Sequence, residues 1–181
     1  MNFLKTVFAA AIAVTFATSS MAASKEDTLI LETKHGKIEI ELLPDAAPNH
    51  VKQVSELANE GFYDKIKFHR VIDGFMAQTG DPTGTGRGSS KRPDLKAEFS
   101  NTLKFERGTV GMARSQSPDS ANSQFFIMFD EAAGLNGQYT IFGNVTKGMD
   151  VVDKIKKGSR TQNGSVSDPD VIVKMRTADK F

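Results

Sequence analysis

Between Thr28 and Met175 the apolar residues come in short runs separated by glycine or proline, which confines the chain to short strands joined by turns. Residues 28–33 read as a strand and Lys34-His35-Gly36 as a turn. Ile38, Ile40 and Leu42 then alternate with Lys37, Glu39 and Glu41, the period of a strand with one buried face. Leu43-Pro44 ends that strand. Further strand-like runs fall at 68–71, 75–79, 109–113, 124–129, 140–145 and 171–175. Two stretches carry a helical pattern. Residues 47–60 put Val51, Val54, Leu57 and Ala58 on one face, with Pro48 in the first turn, where its missing N–H costs nothing, and Gly61 as the stop. Residues 149–156 form a shorter second helix. Residues 80–96 make a polar loop too long for a simple hairpin turn. Many short strands with two isolated helices predict one mainly β domain, a barrel or sandwich with helical caps.

The first 22 residues stand apart from this pattern. Lys5 is their only charge, residues 7–17 are apolar apart from one Thr, and Ser20-Met21-Ala22 fits a small-x-small cleavage site. The apolar run is shorter than the roughly 20 residues that a bilayer span requires. Residues 1–22 are therefore expected to be a signal peptide, leaving 23–181 as a single exported domain, periplasmic and free of the membrane after cleavage. The absence of cysteine suits an oxidising compartment. It also excludes a disulfide framework, a thiol nucleophile and thiolate zinc ligation. With 23 Lys plus Arg against 22 Asp plus Glu, the chain lacks the basic excess of a nucleic-acid binder. The three histidines have no metal-ligand spacing, and His35 and His50 read as ordinary surface residues. No G-x-S-x-G elbow occurs, and Gly84-Thr85-Gly86-Arg87-Gly88 lacks the Gly-Lys-Ser/Thr ending of a phosphate loop. No metal or cofactor is expected.

The densest segment runs from Phe68 to Asp81 (FHRVIDGFMAQTGD) and is followed by Gly84-Thr85-Gly86. Three more blocks come after it: Arg107 to Arg114 (RGTVGMAR), Asn122 to Ile127 (NSQFFI) and Leu135 to Gly143 (LNGQYTIFG). In this order they closely resemble the cyclophilins, a family of peptidyl-prolyl cis/trans isomerases, across essentially all of 28–175. The resemblance implies a closed eight-stranded antiparallel β-barrel capped by two α-helices. It implies Arg70 and Gln78 as catalytic residues. It implies Phe75, Met76, Phe126, Leu135 and Tyr139 as the lining of a proline pocket. Gln124 matches a second groove glutamine. Ala113, Arg114 and Ser115 match a strand edge that pairs with the peptide backbone, and Gly84 a glycine at a shallower second pocket. The implied partners are unfolded or partly folded proteins with X–Pro bonds, and the chain is expected to act as a monomer.

Physical chemistry states what such a site must do. An X–Pro bond is nearly balanced between its isomers, yet the barrier is about 18–20 kcal/mol, mostly amide resonance. A catalyst has to favour the twisted bond, in which the proline nitrogen regains a lone pair. That requires a dry slot for the ring, clamps on the flanking chain and a donor aimed at the nitrogen, with no nucleophile. Arginine suits the donor role, because it offers five N–H groups, accepts nothing and stays charged. Phe125 and Phe126 are strand neighbours, so one can enter the core while the other lines the groove. Three residues depart from common family members. Tyr139 stands where many have histidine, and Arg114 replaces an asparagine and so adds charge at the groove edge. Gly134 stands where many have tryptophan, which predicts weak binding of the inhibitor cyclosporin. The alternative readings are a module that holds proline segments without turnover and a barrel carrying small apolar ligands, which leaves Arg70 and Gln78 without a role.

Overall fold

The computed structural model describes residues 24–181; the expected signal peptide, residues 1–22, lies outside the described residues. A hairpin of β1 (Thr28–Thr33) and β2 (Gly36–Leu42) opens the fold, followed by helix α1 (Pro48–Asn59). Strands β3 (Arg70–Ile72), β4 (Met76–Thr79), β5 (Thr109–Met112), β6 (Phe125–Met128) and β7 (Ile141–Lys147) come next. Helix α2 (Met149–Asp153) and strand β8 (Lys174–Thr177) complete it. All strand pairs are antiparallel, in the order β3-β4-β6-β5-β7-β2-β1-β8.

The alternation seen in the sequence decides which face is buried. Leu29 and Leu31 of β1 and Ile38 and Ile40 of β2 turn inward, joined by Val110, Met112, Phe125, Ile127, Phe142 and Met175. Helix α1 adds Val51, Val54, Leu57 and Ala58 to the same interior, and α2 adds Val151 and Val152. Burying each large side chain stabilises the fold by roughly 1.5–3 kcal/mol. Packing of this kind holds short helices that would not persist alone.

The resemblance implies a closed barrel, but the strand ladder is an open, curled eight-stranded sheet with β3 and β8 as its end strands. The expected last strand at 171–175 is correspondingly displaced to Lys174–Thr177. Residues 171–173 span the gap between the sheet's ends instead. Lys65 N–H donates to Ile172 O and Ile172 N–H to Ile66 O, while Val173 N–H donates to Glu32 O of β1. Val71 exchanges hydrogen bonds with Gly158 and Gly164, so the outer edge of β3 is covered by an irregular segment.

His50 is not a surface residue: it is fully buried, with Nδ1 2.6 Å from Glu98 Oε2. Glu98 also accepts the backbone N–H groups of Asn49 and His50. It thereby caps the first turn of α1, where Ala47 provides no side-chain cap. Periodicity cannot register a contact made across 48 residues. His35 is half-buried and hydrogen-bonded to Asp170.

Asp170 is 4% exposed; it pairs with Lys34 at 2.6 Å, accepts the Lys156 N–H at 2.9 Å and meets His35 Nε2 at 3.0 Å. Burial pushes its carboxyl up, but Lys34, the Lys156 N–H and His35 together outweigh that and hold it at about 2. Buried Asp81 also ends at about 2, because the Thr83 hydroxyl and the N–H groups of Thr83, Gly88 and Gly86 overcome its desolvation. Both values lie below the unfolded carboxyl near 3.9, so the stabilisation is complete at neutral pH and is lost as pH falls from about 4 through 2. Denaturant unfolding across that range is expected to show a drop on the order of 2 kcal/mol per carboxyl. Asp170→Asn should shrink the drop, and an unchanged acid profile in that variant would contradict the assignment.

Candidate active site

Cross-strand register builds the site. Arg70 lies opposite Gln78 on the β3–β4 pair, and Gln78 lies opposite Phe126 on the β4–β6 pair. Val71, Ala77, Phe125 and Ile127 face the interior, so their neighbours Arg70, Met76, Gln78 and Phe126 share the other face. Met76 and Phe126, 2% and 6% exposed, pack there with Phe105, Met128 and Ile141 in a second apolar cluster. Phe75, Ala113, Leu135 and Tyr139 lie half-buried against that cluster. Phe125 enters the main core and Phe126 the second cluster, the division that strand alternation predicts.

Over the second cluster opens a cavity of about 260 Å³, lined by Arg70, Phe75, Met76, Gln78, Ala113, Arg114, Phe126, Leu135 and Tyr139. Its floor is apolar and its rim carries the polar groups. Tyr139 meets Phe126 edge to face at 5.9 Å between ring centroids. The Arg114 guanidinium lies 4.4 Å over the Tyr139 ring. It donates to the carbonyls of Gln138, Ser115 and Gln116.

The Arg70 guanidinium is held from two sides. Nη1 donates to Gln78 Oε1 at 3.2 Å and lies 3.9 Å from Met76 Sδ. Nε donates to Asn163 O at 3.1 Å and Nη2 to Asn163 Oδ1 at 3.0 Å. Nη2 keeps one N–H with no protein acceptor among the described residues. Partial burial lowers the Arg70 pKa, against the opposing influence of Tyr139, but a guanidinium remains cationic at neutral pH. Gln78 Nε2 donates in turn to Gln124 Oε1 at 2.9 Å, and Gln124 Nε2 to the carbonyls of Gly86 and Gly88. Each amide accepts at one end and donates at the other, which leaves little freedom to flip.

A second cavity of about 440 Å³ adjoins the first and shares Gln78, Ala113 and Arg114 with it. Ser115 and Gln124 line it, together with Gly86, Arg87, Gly88 and Asp94. Gly84 lies outside both linings. It sits in the turn anchored by Asp81, where an added Cβ would come 3.0 Å from Lys67 Cδ, and Gly86 and Gly88 form the wall instead. At the 113–115 edge, Ala113 N–H donates to Gln124 O and Ser115 N–H to Ser120 Oγ. The intervening Arg114 N–H has no acceptor among the described residues, as a peptide-pairing edge requires.

Asn163 is the residue that sequence reasoning missed. Its only local signal is the Asn163-Gly164 turn dipeptide, realised with Asn163 at φ 52°. Nothing in the spacing ties it to Arg70, 93 residues away. Among the described residues no group of three His, Asp or Glu is arranged to hold a metal ion.

Residues 28–177 match the family described as cyclophilin type peptidyl-prolyl cis-trans isomerase/CLD. A Brucella suis protein named as a probable peptidyl-prolyl cis-trans isomerase is 52% identical, the match covering 96% of each chain. Peptidyl-prolyl cis-trans isomerase B of Escherichia coli is 43% identical over 80% of this chain and 95% of its own. Among solved structures, a cyclophilin of Hirschia baltica superposes with a TM-score of 0.79 at 26% identity, covering 93% of this chain and 83% of that one. A Cryptosporidium parvum cyclophilin-type isomerase, solved in the presence of the dipeptide Ala-Pro, gives 0.76 at 30% identity, covering 83% and 98%. Profile, relatives and fold agree, and the chain belongs to the cyclophilin-type peptidyl-prolyl cis-trans isomerases.

Proposed function

We propose that this isomerase turns over X–Pro bonds with the proline ring in the 260 Å³ cavity and the Arg70 guanidinium donating to the imide nitrogen. The observation that carries the reading is a cation fixed at the rim of an apolar slot, with an N–H to spare. As the bond twists, resonance is lost and the nitrogen becomes a hydrogen-bond acceptor, so Arg70 binds the transition state better than either planar isomer. A charge-assisted hydrogen bond supplies about 1.5–3 kcal/mol. A 10⁵-fold acceleration would need about 7 kcal/mol. The remainder falls to orientation and to the water-poor slot walled by Phe75, Met76, Phe126, Leu135 and Tyr139.

Gln78 and Gln124 keep the guanidinium from swinging away, and Asn163 positions it from the opposite side. The free Arg114 N–H offers the substrate backbone a partner, at an edge running from Ala113 to Ser115. The Cryptosporidium parvum relative was solved with Ala-Pro present, which supports a proline-containing peptide as the occupant here. A module that merely holds such peptides has no use for a cation fixed beside the slot. Exported proteins are the proposed clients, in a periplasm reached through the leader at 1–22. Such chains fold after crossing a membrane, and X–Pro isomerisation takes tens to hundreds of seconds uncatalysed. Gly134 is exposed and gives no aromatic surface for cyclosporin, so binding of that inhibitor is expected to be weak.

Arg70→Ala is expected to lower kcat/KM by well over ~10-fold in a proline-peptide isomerisation assay, and an unchanged rate would overturn the assignment. Asn163→Gly keeps the left-handed backbone and the carbonyl acceptor but removes the side-chain oxygen. A loss of about 2- to 10-fold is expected, in kcat rather than KM, with the unfolding midpoint unmoved. The site contains no acid–base pair. Burial lowers the pKa of the adjacent His69, against the pull of Asp81, which disfavours the charged imidazolium. The kcat/KM profile should therefore vary less than about twofold from about pH 6 to 9, and a bell in that range would indicate different chemistry.

A further inference from the structure

The chain has seven arginines, and they divide by what holds them. Arg92 pairs with Glu56 and Glu60, Arg107 with Asp153 and Arg176 with Asp64, while Arg160, outside both cavities, donates to the Asp73 carbonyl. Arg70, Arg87 and Arg114 line the two adjoining cavities, and among the described residues none of them has a carboxylate partner. Arg70 donates to Asn163 and Gln78, and Arg114 to three backbone carbonyls and the Tyr139 face. Arg87 is exposed, and its guanidinium has no hydrogen-bond partner among the described residues. Neutral acceptors orient a guanidinium without cancelling its charge. Among the described residues the one acid lining either cavity is Asp94, whose Oδ1 accepts from Asn122 Nδ2. With Lys5 set aside, the chain carries 22 charges of each sign, so this excess belongs to the groove rather than to the protein as a whole.

We propose that the groove selects acidic substrates: X–Pro segments bearing Asp or Glu on the flank of the proline that lies along the second cavity, between Arg114 and Arg87. The proposal rests on the isomerase reading above and adds the class of client. Arg114 stands on the wall common to both cavities, so its charge lies beside the chain immediately next to the bound proline. Its hydrogen bonds and the aromatic stack hold it in place before substrate arrives, so little side-chain freedom is lost when a carboxylate approaches. Arg87 adds a second, exposed cation along the same cavity. A cleft in which one sign of charge is in excess, as three arginines against Asp94 are here, also concentrates oppositely charged chains and speeds their capture.

The test is a series of X–Pro peptides that differ at one flanking position, with Glu, Gln or Lys two or three residues to either side of the proline. Each is assayed for kcat/KM at about 50 mM and about 1 M salt, where screening lengths differ severalfold. On one flank Glu is expected to exceed Gln by about three- to fivefold and Lys to fall below Gln, as solvent-accessible ion pairs allow. The spread should collapse toward one in high salt. Arg114→Gln should narrow it and Arg87→Glu should narrow or invert it. Equal rates for Glu, Gln and Lys at low salt would overturn the proposal while leaving the isomerase intact. So would a preference that survives high salt and both substitutions. Failure to accelerate any peptide would bring down the isomerase reading itself, and this inference with it.

Discussion

Arg70 stands directly across the ladder from Gln78, and the groove depends on that pairing. Strand geometry turns alternate side chains to opposite faces. A slip of one residue between β3 and β4 would send Arg70 toward the core and bring Val71 out. The register is secured from the inside, where Val71, Ala77, Phe125 and Ile127 are all fully buried. The apolar interior therefore holds the polar row in place. Stability and function draw on the same strands, one from each face.

The groove resolves a conflict in how to hold a cation. A carboxylate beside Arg70 would anchor it firmly but would occupy its N–H groups and offset its charge. Amide and carbonyl oxygens fix the direction of the fork and leave the charge unspent. Asn163 serves this end with two acceptors from a single left-handed residue, and Gln78 closes the other side. The same logic recurs at Arg114, which is surrounded by carbonyls and an aromatic face.

The polar loop is tied to this machinery at two places. Asp81 gathers the N–H groups of Thr83, Thr85 and Gly86, which curls the loop back on itself. Gln124 then takes the carbonyls of Gly86 and Gly88. Gly88 permits this fold because a Cβ there would lie 2.1 Å from Asp81 Oδ1. The loop wall of the second cavity is thus linked through Gln124 and Gln78 to the guanidinium. The connection between the loop and Arg70 runs through side-chain hydrogen bonds.

The strands, both helices and the core faces were legible in the sequence, because period-two alternation at 38–42 and a helical stripe at 51–58 are local patterns imposed by burial. The block from Phe68 to Asp81 and the Ser-Gln-Phe-Phe segment made the family legible as well, and they hold Arg70, Phe75 and Phe126, which the fold brings to one cavity. Other features were decided only by the folded chain. The sheet is open between β3 and β8, with residues 171–173 spanning the gap. His50 is buried against Glu98, Gly86 and Gly88 take the wall position expected of Gly84, and Asn163 reaches Arg70. Each of these is a contact between segments far apart in the chain and joined by irregular turns. Local periodicity carries no record of such distances; they are set when the two faces of the sheet are packed and the loops must satisfy their remaining donors and acceptors.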